Sequence, residues 1–123
     1  MKILVVEDTP DFLRLLVNYL EDIGYEVYSA ASVNQAVYLL KSGTAFDIIC
    51  TDFNLSEENF RHNGNLVATY ADELGFKEVY LLSGDPHMGD DSLFTRKFHK
   101  LDVTDFLEFM EQRITAAATT TAG

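Results

Sequence analysis

The chain has 123 residues, of which 47% are hydrophobic and 24% are charged, a balance that predicts one globular domain with a packed core. Twenty acidic residues against nine Lys and Arg give a net charge of −11, which would repel nucleic-acid phosphates and anionic membranes, so neither is an expected partner. The lack of a signal peptide, of an apolar stretch near the roughly 20 residues of a membrane span, and of a second cysteine predicts a cytoplasmic protein.

Short apolar segments alternate with amphipathic segments over most of the chain. The pattern predicts strands at 3–6, 25–30, 48–51 and 79–82 and helices at 10–23, 33–41 and 65–74. Thr9 followed by Pro10 is typical of a helix N-terminus, and Ser32 with Gln35 three residues later predicts a capping box at the second helix. Because the strands are almost continuously apolar, we expect them to be buried on both faces in a parallel sheet.

The sequence after the fourth strand predicts less regular structure. Residues 83–91 are rich in glycine and aspartate, which favours turns, so the fourth helix is expected to be short or missing. A fifth strand is predicted near 94–98, and a last helix at about 102–116. The domain is therefore predicted to span 1–116, with 117–123 as a flexible tail or linker stub.

The order of the elements predicts an α/β fold with a doubly wound, five-stranded parallel sheet in the flavodoxin-like strand order 2-1-3-4-5. Such folds place their sites beyond the carboxyl ends of the strands. At those ends the sequence has Glu7 and Asp8, then Asp52, Ser83 and Lys100. We therefore expect these side chains to form a site at one edge of the sheet.

The acidic residues after the first and third strands are expected to form one cluster. Those strands would be neighbours about 4.8 Å apart, which brings the carboxylates of Glu7, Asp8 and Asp52 together. Two like charges about 4 Å apart cost about 4 kcal/mol at an effective dielectric of about 20. The cluster should therefore raise carboxyl pKa values or bind a hard cation, and oxygen-only ligands favour Mg²⁺. One carboxylate would remain able to act as a nucleophile.

The strand-end residues resemble those of the response regulator receiver domain, the phosphoacceptor of two-component signalling, of the chemotaxis-regulator type. The resemblance rests on the acidic pair in KILVVED, the aspartate in IICTDFNL, the serine in LLSGD and the lysine at position 100. It implies a phosphorelay protein that accepts a phosphoryl group from a histidine kinase or a histidine phosphotransfer protein. It also implies a signalling domain rather than an enzyme, one that assists its own phosphorylation and dephosphorylation.

The resemblance assigns a role to each site residue. Asp52 would be the phosphoacceptor, and Ser83 and Lys100 would bind the phosphoryl group. The ligands of Mg²⁺ would be Glu7, Asp8, Asp52 and the backbone carbonyl of Asn54. The expected cofactor is therefore Mg²⁺.

Three departures from the family pattern lie near the end of the predicted sheet. Leu101 follows Lys100 where proline is common, so the peptide bond there is expected to be trans. Lys97 replaces the aromatic residue expected three positions before the lysine, and Phe98 should point to the opposite face of the sheet. The segment before this strand is also too short for the usual fourth helix. These differences affect the surface that the family uses for output.

A fourth departure is the loop after the predicted acceptor, which is longer than the common form. It has Leu55 and Ser56 where the family has Met-Pro. It also contains four polar residues that would alter access to the pocket: Glu57, Glu58, Arg61 and His62.

Each site residue also has a plain structural interpretation. Glu7 and Asp8 would favour the positive N-terminus of the first helix by about 0.3–1 kcal/mol. The remaining site residues are types that also occur as turn residues or solvated charges. The three histidines lack metal-ligand spacing and are expected to be exposed. The joint placement of the polar residues at four strand ends favours a functional site.

Two other functions are consistent with the sequence. A Mg²⁺-dependent aspartyl phosphatase typically presents Asp-x-Asp, whereas Asp52 is followed two residues later by Asn54. A receiver-like interaction module that is not phosphorylated is the stronger alternative, although it leaves the acidic residues unexplained. No sequence feature identifies the cognate kinase, the downstream partner or the oligomeric state.

Overall fold

The strands are short apolar segments and the helices are the amphipathic segments between them, as the sequence predicts. The structure, a computed structural model, describes residues 1–55 and 63–122, with side chains to residue 118. The elements in chain order are β1 (Lys2–Val6), α1 (Pro10–Asp22), β2 (Glu26–Ala30), α2 (Val33–Leu40), β3 (Ile48–Thr51), α3 (Gly64–Glu73), β4 (Val79–Ser83), β5 (Arg96–His99) and α4 (Val103–Ala122). No helix in these ranges is long and apolar enough to cross a membrane.

The five strands form one parallel sheet in the order β2-β1-β3-β4-β5, which confirms the predicted fold. β1 and β3 are neighbours, with Val6 opposite Thr51. β4 pairs with β5 so that Ser83 lies opposite His99. Because the strands are parallel, their carboxyl ends all meet at one edge of the sheet.

Two apolar clusters cover the two faces of the sheet. On one face, Ala36 of α2 and Val67 of α3 are fully buried. On the other face, Leu16 of α1 and Phe106 of α4 are buried. Alternate residues of β1 enter the two clusters, which explains why this strand is apolar throughout.

The N-termini of the first two helices follow the predicted capping residues with one exception. Ser32 Oγ accepts a hydrogen bond from Gln35 N (3.1 Å), and Gln35 Oε1 accepts one from Ala31 N (2.8 Å), which confirms the box at α2. Thr9 occupies the N-cap position of α1, but its side chain makes no capping hydrogen bond. Its backbone N–H donates to Glu7 Oε1 (3.1 Å) instead. The predicted start of α1 at Thr9 and Pro10 is therefore confirmed, although the Thr9 side chain does not cap the helix.

The last strand and the last helix depart from the predicted bounds. β5 spans Arg96–His99 and not 94–98; Phe94 lies before it, buried in the cluster beneath α2 and α3, and Thr95 N donates to Val79 O (2.7 Å). α4 continues to Ala122, beyond the predicted end at 116, since the alanines in this segment favour helix. The domain boundary at 116 stays a prediction.

The connection between β4 and β5 is short, as predicted, and turns take the place of an α-helix. Residues 84–95, all of them described, contain one 3₁₀ turn at Pro86–Met88. Gly89 is buried, and a Cβ atom there would lie 2.6 Å from Leu81 Cδ2. Asp90 N donates to Asn65 Oδ1 (3.0 Å) at the start of α3. The connection therefore packs against the sheet and against α3.

Candidate functional site

Three carboxylates meet at the carboxyl edge of the sheet, where β1 and β3 lie side by side. Ligand oxygens of Glu7, Asp8 and Asp52 all lie within 4.8 Å of one another, an arrangement that could hold a metal ion. Backbone hydrogen bonds continue the sheet to these residues, since Glu7 N donates to Ala30 O (3.0 Å) and Asp52 N donates to Val6 O (2.9 Å). The backbone of the sheet therefore places the acidic cluster.

The acidic cluster is buried on one side and open on the other. Glu7 and Asp52 are only 1% and 5% exposed, whereas Asp8 is exposed. Burial raises the pKa of Glu7, the negative charge of Asp52 raises it further, and Lys100 partly offsets both effects. The pocket therefore favours a bound proton or a bound cation at Glu7.

Lys100 brings a positive charge to the acidic cluster. Its Nζ lies 2.8 Å from Asp52 Oδ2 and 3.1 Å from the carboxylate of Glu7. The same nitrogen lies 5.0 Å from the centre of the Phe12 ring, a cation–π contact. Burial alone would lower the pKa of Lys100, but the hydrogen bonds and charges of Asp52 and Glu7 outweigh burial and raise it. Lys100 is therefore protonated at neutral pH and bridges the two buried carboxylates.

Asp52 is supported by three neighbours that sequence reasoning did not assign to the site. Phe53 N donates to Asp52 Oδ1 (2.7 Å), while Oδ2 accepts from Lys100. Thr51 Oγ1 donates to the carbonyl of Asp52 (2.8 Å). Gly64 packs so closely on that carbonyl that a Cβ atom would lie 2.4 Å from its oxygen. A glycine at the start of a predicted helix was the one sequence signal for this close approach.

Ser83 and Asn54, the remaining predicted site residues, lie on segments next to the cluster. Ser83 ends β4, is fully buried, and its Oγ accepts a hydrogen bond from Asp85 N (3.2 Å). Asn54 is exposed, and its backbone forms a bridge with Asn63. The structure thus brings Glu7, Asp8, Asp52 and Lys100 together, while the roles of these four residues and of Ser83 and Asn54 stay predictions.

The long loop after Asp52 was predicted to influence access to the pocket. Leu55, where the loop begins, is 3% exposed and packs in the core. Residues 56–62, which include Glu57, Glu58, Arg61 and His62, lie outside the described residues.

The side chains of Lys97 and Phe98, neighbours in β5, point to opposite faces of the sheet, as predicted. Phe98 is 5% exposed and packs against the ring of Phe106, with 5.3 Å between ring centres. Lys97 Nζ reaches the backbone carbonyl of Gly89 and pairs with Asp91, so it contacts the β4–β5 connection. The position that the family fills with an aromatic residue therefore holds a lysine engaged with that connection.

Comparison with protein families agrees with this geometry. The family model of the response regulator receiver domain matches residues 3–65, about half of the chain. The chain belongs to the response regulator receiver family. The matched segment includes Glu7, Asp8 and Asp52, and it ends before Ser83 and Lys100. The protein is therefore a two-component signalling domain, although a search of curated proteins finds no match.

Solved structures share the same fold at low sequence identity. The response regulator TrrA of Thermotoga maritima, in complex with Mg²⁺ and beryllofluoride, is 22% identical with a TM-score of 0.72, covering 89% of this chain and 97% of that one. A receiver domain protein of Clostridium thermocellum is 17% identical with a TM-score of 0.70, covering 94% and 98%. The receiver domain of the hybrid histidine kinase CckA is 20% identical with a TM-score of 0.69, covering 90% and 99%.

Proposed function

We propose that this receiver domain is a Mg²⁺-dependent phosphoacceptor, which takes a phosphoryl group on Asp52 from a histidine kinase or a histidine phosphotransfer protein. The observation that supports this proposal is that Asp52 lies beside two further carboxylates, those of Glu7 and Asp8, and beside Nζ of Lys100. This group combines a nucleophile, a set of metal ligands and a second cation in one partly open pocket. Membership of the receiver family supports the same role.

The donor atoms of the pocket fit Mg²⁺. They are carboxylate oxygens, which this hard cation prefers, and the exposed Asp8 leaves room for the water ligands that it keeps. The proposed ligands are Glu7, Asp8, Asp52 and the backbone carbonyl of Asn54. When bound, Mg²⁺ neutralises negative charge on the phosphoryl group during transfer.

Three side chains would carry the transfer itself. A carboxylate is ionised at pH 7, so Asp52 needs no general base: its oxygen forms the new O–P bond while the N–P bond of phosphohistidine breaks, and the leaving nitrogen keeps the electron pair. Lys100 Nζ, already at Asp52 Oδ2, stabilises the negative charge that builds on the phosphoryl oxygens. Ser83 accepts a hydrogen bond from Asp85 N and retains an O–H that can donate to a phosphoryl oxygen.

A receiver-like interaction module that is not phosphorylated remains the second candidate. Lys97 favours it, because a lysine held by Gly89 and Asp91 replaces the aromatic residue expected there. The two candidates differ in whether the acidic cluster does chemistry.

The deciding experiment is to measure intact mass after incubation with acetyl phosphate and Mg²⁺. The wild type should gain one phosphoryl group, and Asp52→Asn should gain none, because the nucleophilic oxygen is replaced by an amide. Asp72→Asn, which changes an exposed acid on α3, is the matched control and should be labelled like the wild type. A chelator in place of Mg²⁺ should prevent labelling.

Each other outcome has a clear meaning. Equal labelling of Asp52→Asn would show that the acceptor lies elsewhere. An unlabelled wild type, with phosphoramidate as well as acetyl phosphate, would favour the interaction module. Release of many equivalents of phosphate from a generic phosphate ester would identify a phosphatase instead.

A further inference from the structure

The chain makes a sharp turn directly after β5, and a histidine side chain caps that turn. Residues Lys100–Asp102 form a 3₁₀ turn, in which Val103 N donates to Lys100 O. His99 is the N-cap residue, and its Nδ1 accepts a hydrogen bond from Leu101 N at 3.0 Å. The sequence predicted an exposed histidine here, but His99 is half-buried.

The capped N–H exists because Leu101 stands where the family commonly has proline. A proline would offer no N–H and would restrict the backbone by itself. Here the peptide between Lys100 and Leu101 is trans, as predicted. The side chain of Leu101 is 87% exposed, so burial of this residue does not hold the turn. The His99 hydrogen bond therefore provides a local restraint that proline would otherwise supply.

The restrained turn carries the lysine of the proposed site. Lys100 is the first residue of the turn, and its Nζ must reach Asp52 Oδ2 at 2.8 Å and Glu7 at 3.1 Å. The backbone direction at Lys100 sets where this long side chain can point. Lysine has many rotamers, so a loosely held backbone would spread its Nζ over many positions.

We propose that His99 is a positioning residue for phosphoryl transfer: its Nδ1 fixes the turn that aims Lys100 at Asp52. The proposal rests on the proposed function of Asp52. His99 itself touches neither the acceptor nor the phosphoryl group in this role.

The chain shows which substitution should replace the histidine. Asp85 Oδ1 accepts from His87 N (3.2 Å), and Asn63 Oδ1 accepts from Asn65 N (2.9 Å), so short side-chain oxygens already cap the N–H two residues ahead. His99→Asn can make the same contact with Leu101 N, whereas His99→Ala cannot.

The first test is the rate of phosphorylation by acetyl phosphate with Mg²⁺, followed by intact mass. His99→Ala should be phosphorylated about fivefold more slowly than the wild type, because the free energy lost with a typical N-cap corresponds to about a fivefold change in rate. His99→Asn should restore the rate to within about twofold. His87→Ala, which removes an exposed histidine, is the matched control and should keep the wild-type rate. A wild-type rate in His99→Ala, or no recovery in a folded His99→Asn, would overturn the proposal.

A double-mutant cycle tests the mechanism. Leu101→Pro deletes the N–H that His99 accepts, so adding His99→Ala to it should change the rate by less than about twofold. A further fivefold loss would show that His99 acts through another contact, and would overturn the proposal.

A spectroscopic measurement separates this proposal from the proposed function. An accepting Nδ1 carries no hydrogen, so nitrogen NMR at pH 8 should show His99 with its proton on Nε2. A proton on Nδ1 would overturn the inference even if Asp52 is phosphorylated. If the wild type is not phosphorylated at all, the proposed function fails, and this proton assignment still tests the cap.

Discussion

The acidic pocket and the β4–β5 connection (residues 84–95) are held in place by different kinds of interaction. At the pocket, backbone hydrogen bonds that continue the sheet place Glu7 against Ala30 and Asp52 against Val6. The backbone of these two residues therefore needs no side-chain partner to be in position. Their side chains are nevertheless buried and engaged by Lys100.

The β4–β5 connection has backbone turns of its own and is also held to its neighbours by side chains. Lys97 reaches the carbonyl of Gly89, and the amide oxygen of Asn65 accepts a hydrogen bond from Asp90 N. The comparison teaches that a connection without an α-helix uses individual side chains, in addition to its backbone turns, to hold its place against the sheet and α3. We therefore expect added volume beside the backbone of Asp52 to destabilise the whole fold, whereas the loss of one polar group in the connection should loosen the connection alone.

The largest expected effect is from Gly64→Ala at the pocket. The new Cβ atom would lie 2.4 Å from the carbonyl oxygen of Asp52 and 3.0 Å from Phe53 Cα, and both are backbone atoms that cannot move aside. We expect the free energy of unfolding to fall by about 3 kcal/mol, the upper range for overpacking. Urea unfolding measures this change in the free energy of unfolding.

Gly84→Ala is the matched control in the β4–β5 connection. Apart from its two chain neighbours, no atom of the residues that the structure describes lies within 4 Å of a Cβ placed there, and its backbone is outside the left-handed region. The free energy of unfolding should change by less than about 1 kcal/mol. Equal losses in the two variants would contradict the contrast between the two regions.

The same difference between the two regions explains which structural features the sequence could predict. The pattern of apolar segments was enough for a parallel sheet with two covered faces, and the flavodoxin-like strand order expected for such a sheet then placed Glu7 and Asp8 beside Asp52. Lys100 followed from the same reasoning at the end of β5. These predictions depend on the backbone of the sheet, whose strands the periodicity of apolar residues indicates.

Features that depend on single contacts across the fold were not predictable. The approach of Gly64 to the Asp52 carbonyl joins residues on two different elements. The cap of His99 on Leu101 N depends on a ring orientation that no spacing rule reports. The continuation of α4 past residue 116 was missed because a composition of small residues was interpreted as a tail, although alanine favours helix.

The second-largest expected effect concerns the ion pair that joins α4 to the end of the sheet opposite the acidic pocket. Arg113 binds Glu78 through two hydrogen bonds of 2.9 and 2.6 Å, and Tyr80 donates to the same carboxylate at 2.8 Å. Burial alone would raise the pKa of Glu78, but these partners outweigh it and lower the pKa below its ordinary value of 4.5. The ionised carboxylate therefore stabilises the fold above pH 4.5, and this stability is lost as the pH falls through the lowered pKa.

Glu78→Gln should therefore lower the free energy of unfolding by about 1.5 kcal/mol at pH 7, the typical loss for a hydrogen bond to a charged group. The difference from the wild type should shrink as the pH falls below 4.5 and through the lowered pKa of Glu78, since Glu78 then becomes protonated in the folded as well as the unfolded state. Glu111→Gln, which changes an exposed acid on α4, is the control and should be near neutral. A difference that does not vary with pH would mean that packing, and not the ion pair, holds α4 here.

The smallest expected effect, and the most local, is from Lys97→Ala in the β4–β5 connection. Its side chain is mostly buried and its Nζ donates to the carbonyl of Gly89, while the side chain of its other partner, Asp91, is 94% exposed. Because an exposed ion pair contributes little, the carbonyl contact should matter more. Hydrogen exchange should show about tenfold less protection in residues 84–95 of this variant, a loss of about 1.4 kcal/mol confined to that segment. Asp91→Asn should change this protection by less than about twofold. Equal losses of protection in Lys97→Ala and Asp91→Asn would show that the ion pair restrains the segment.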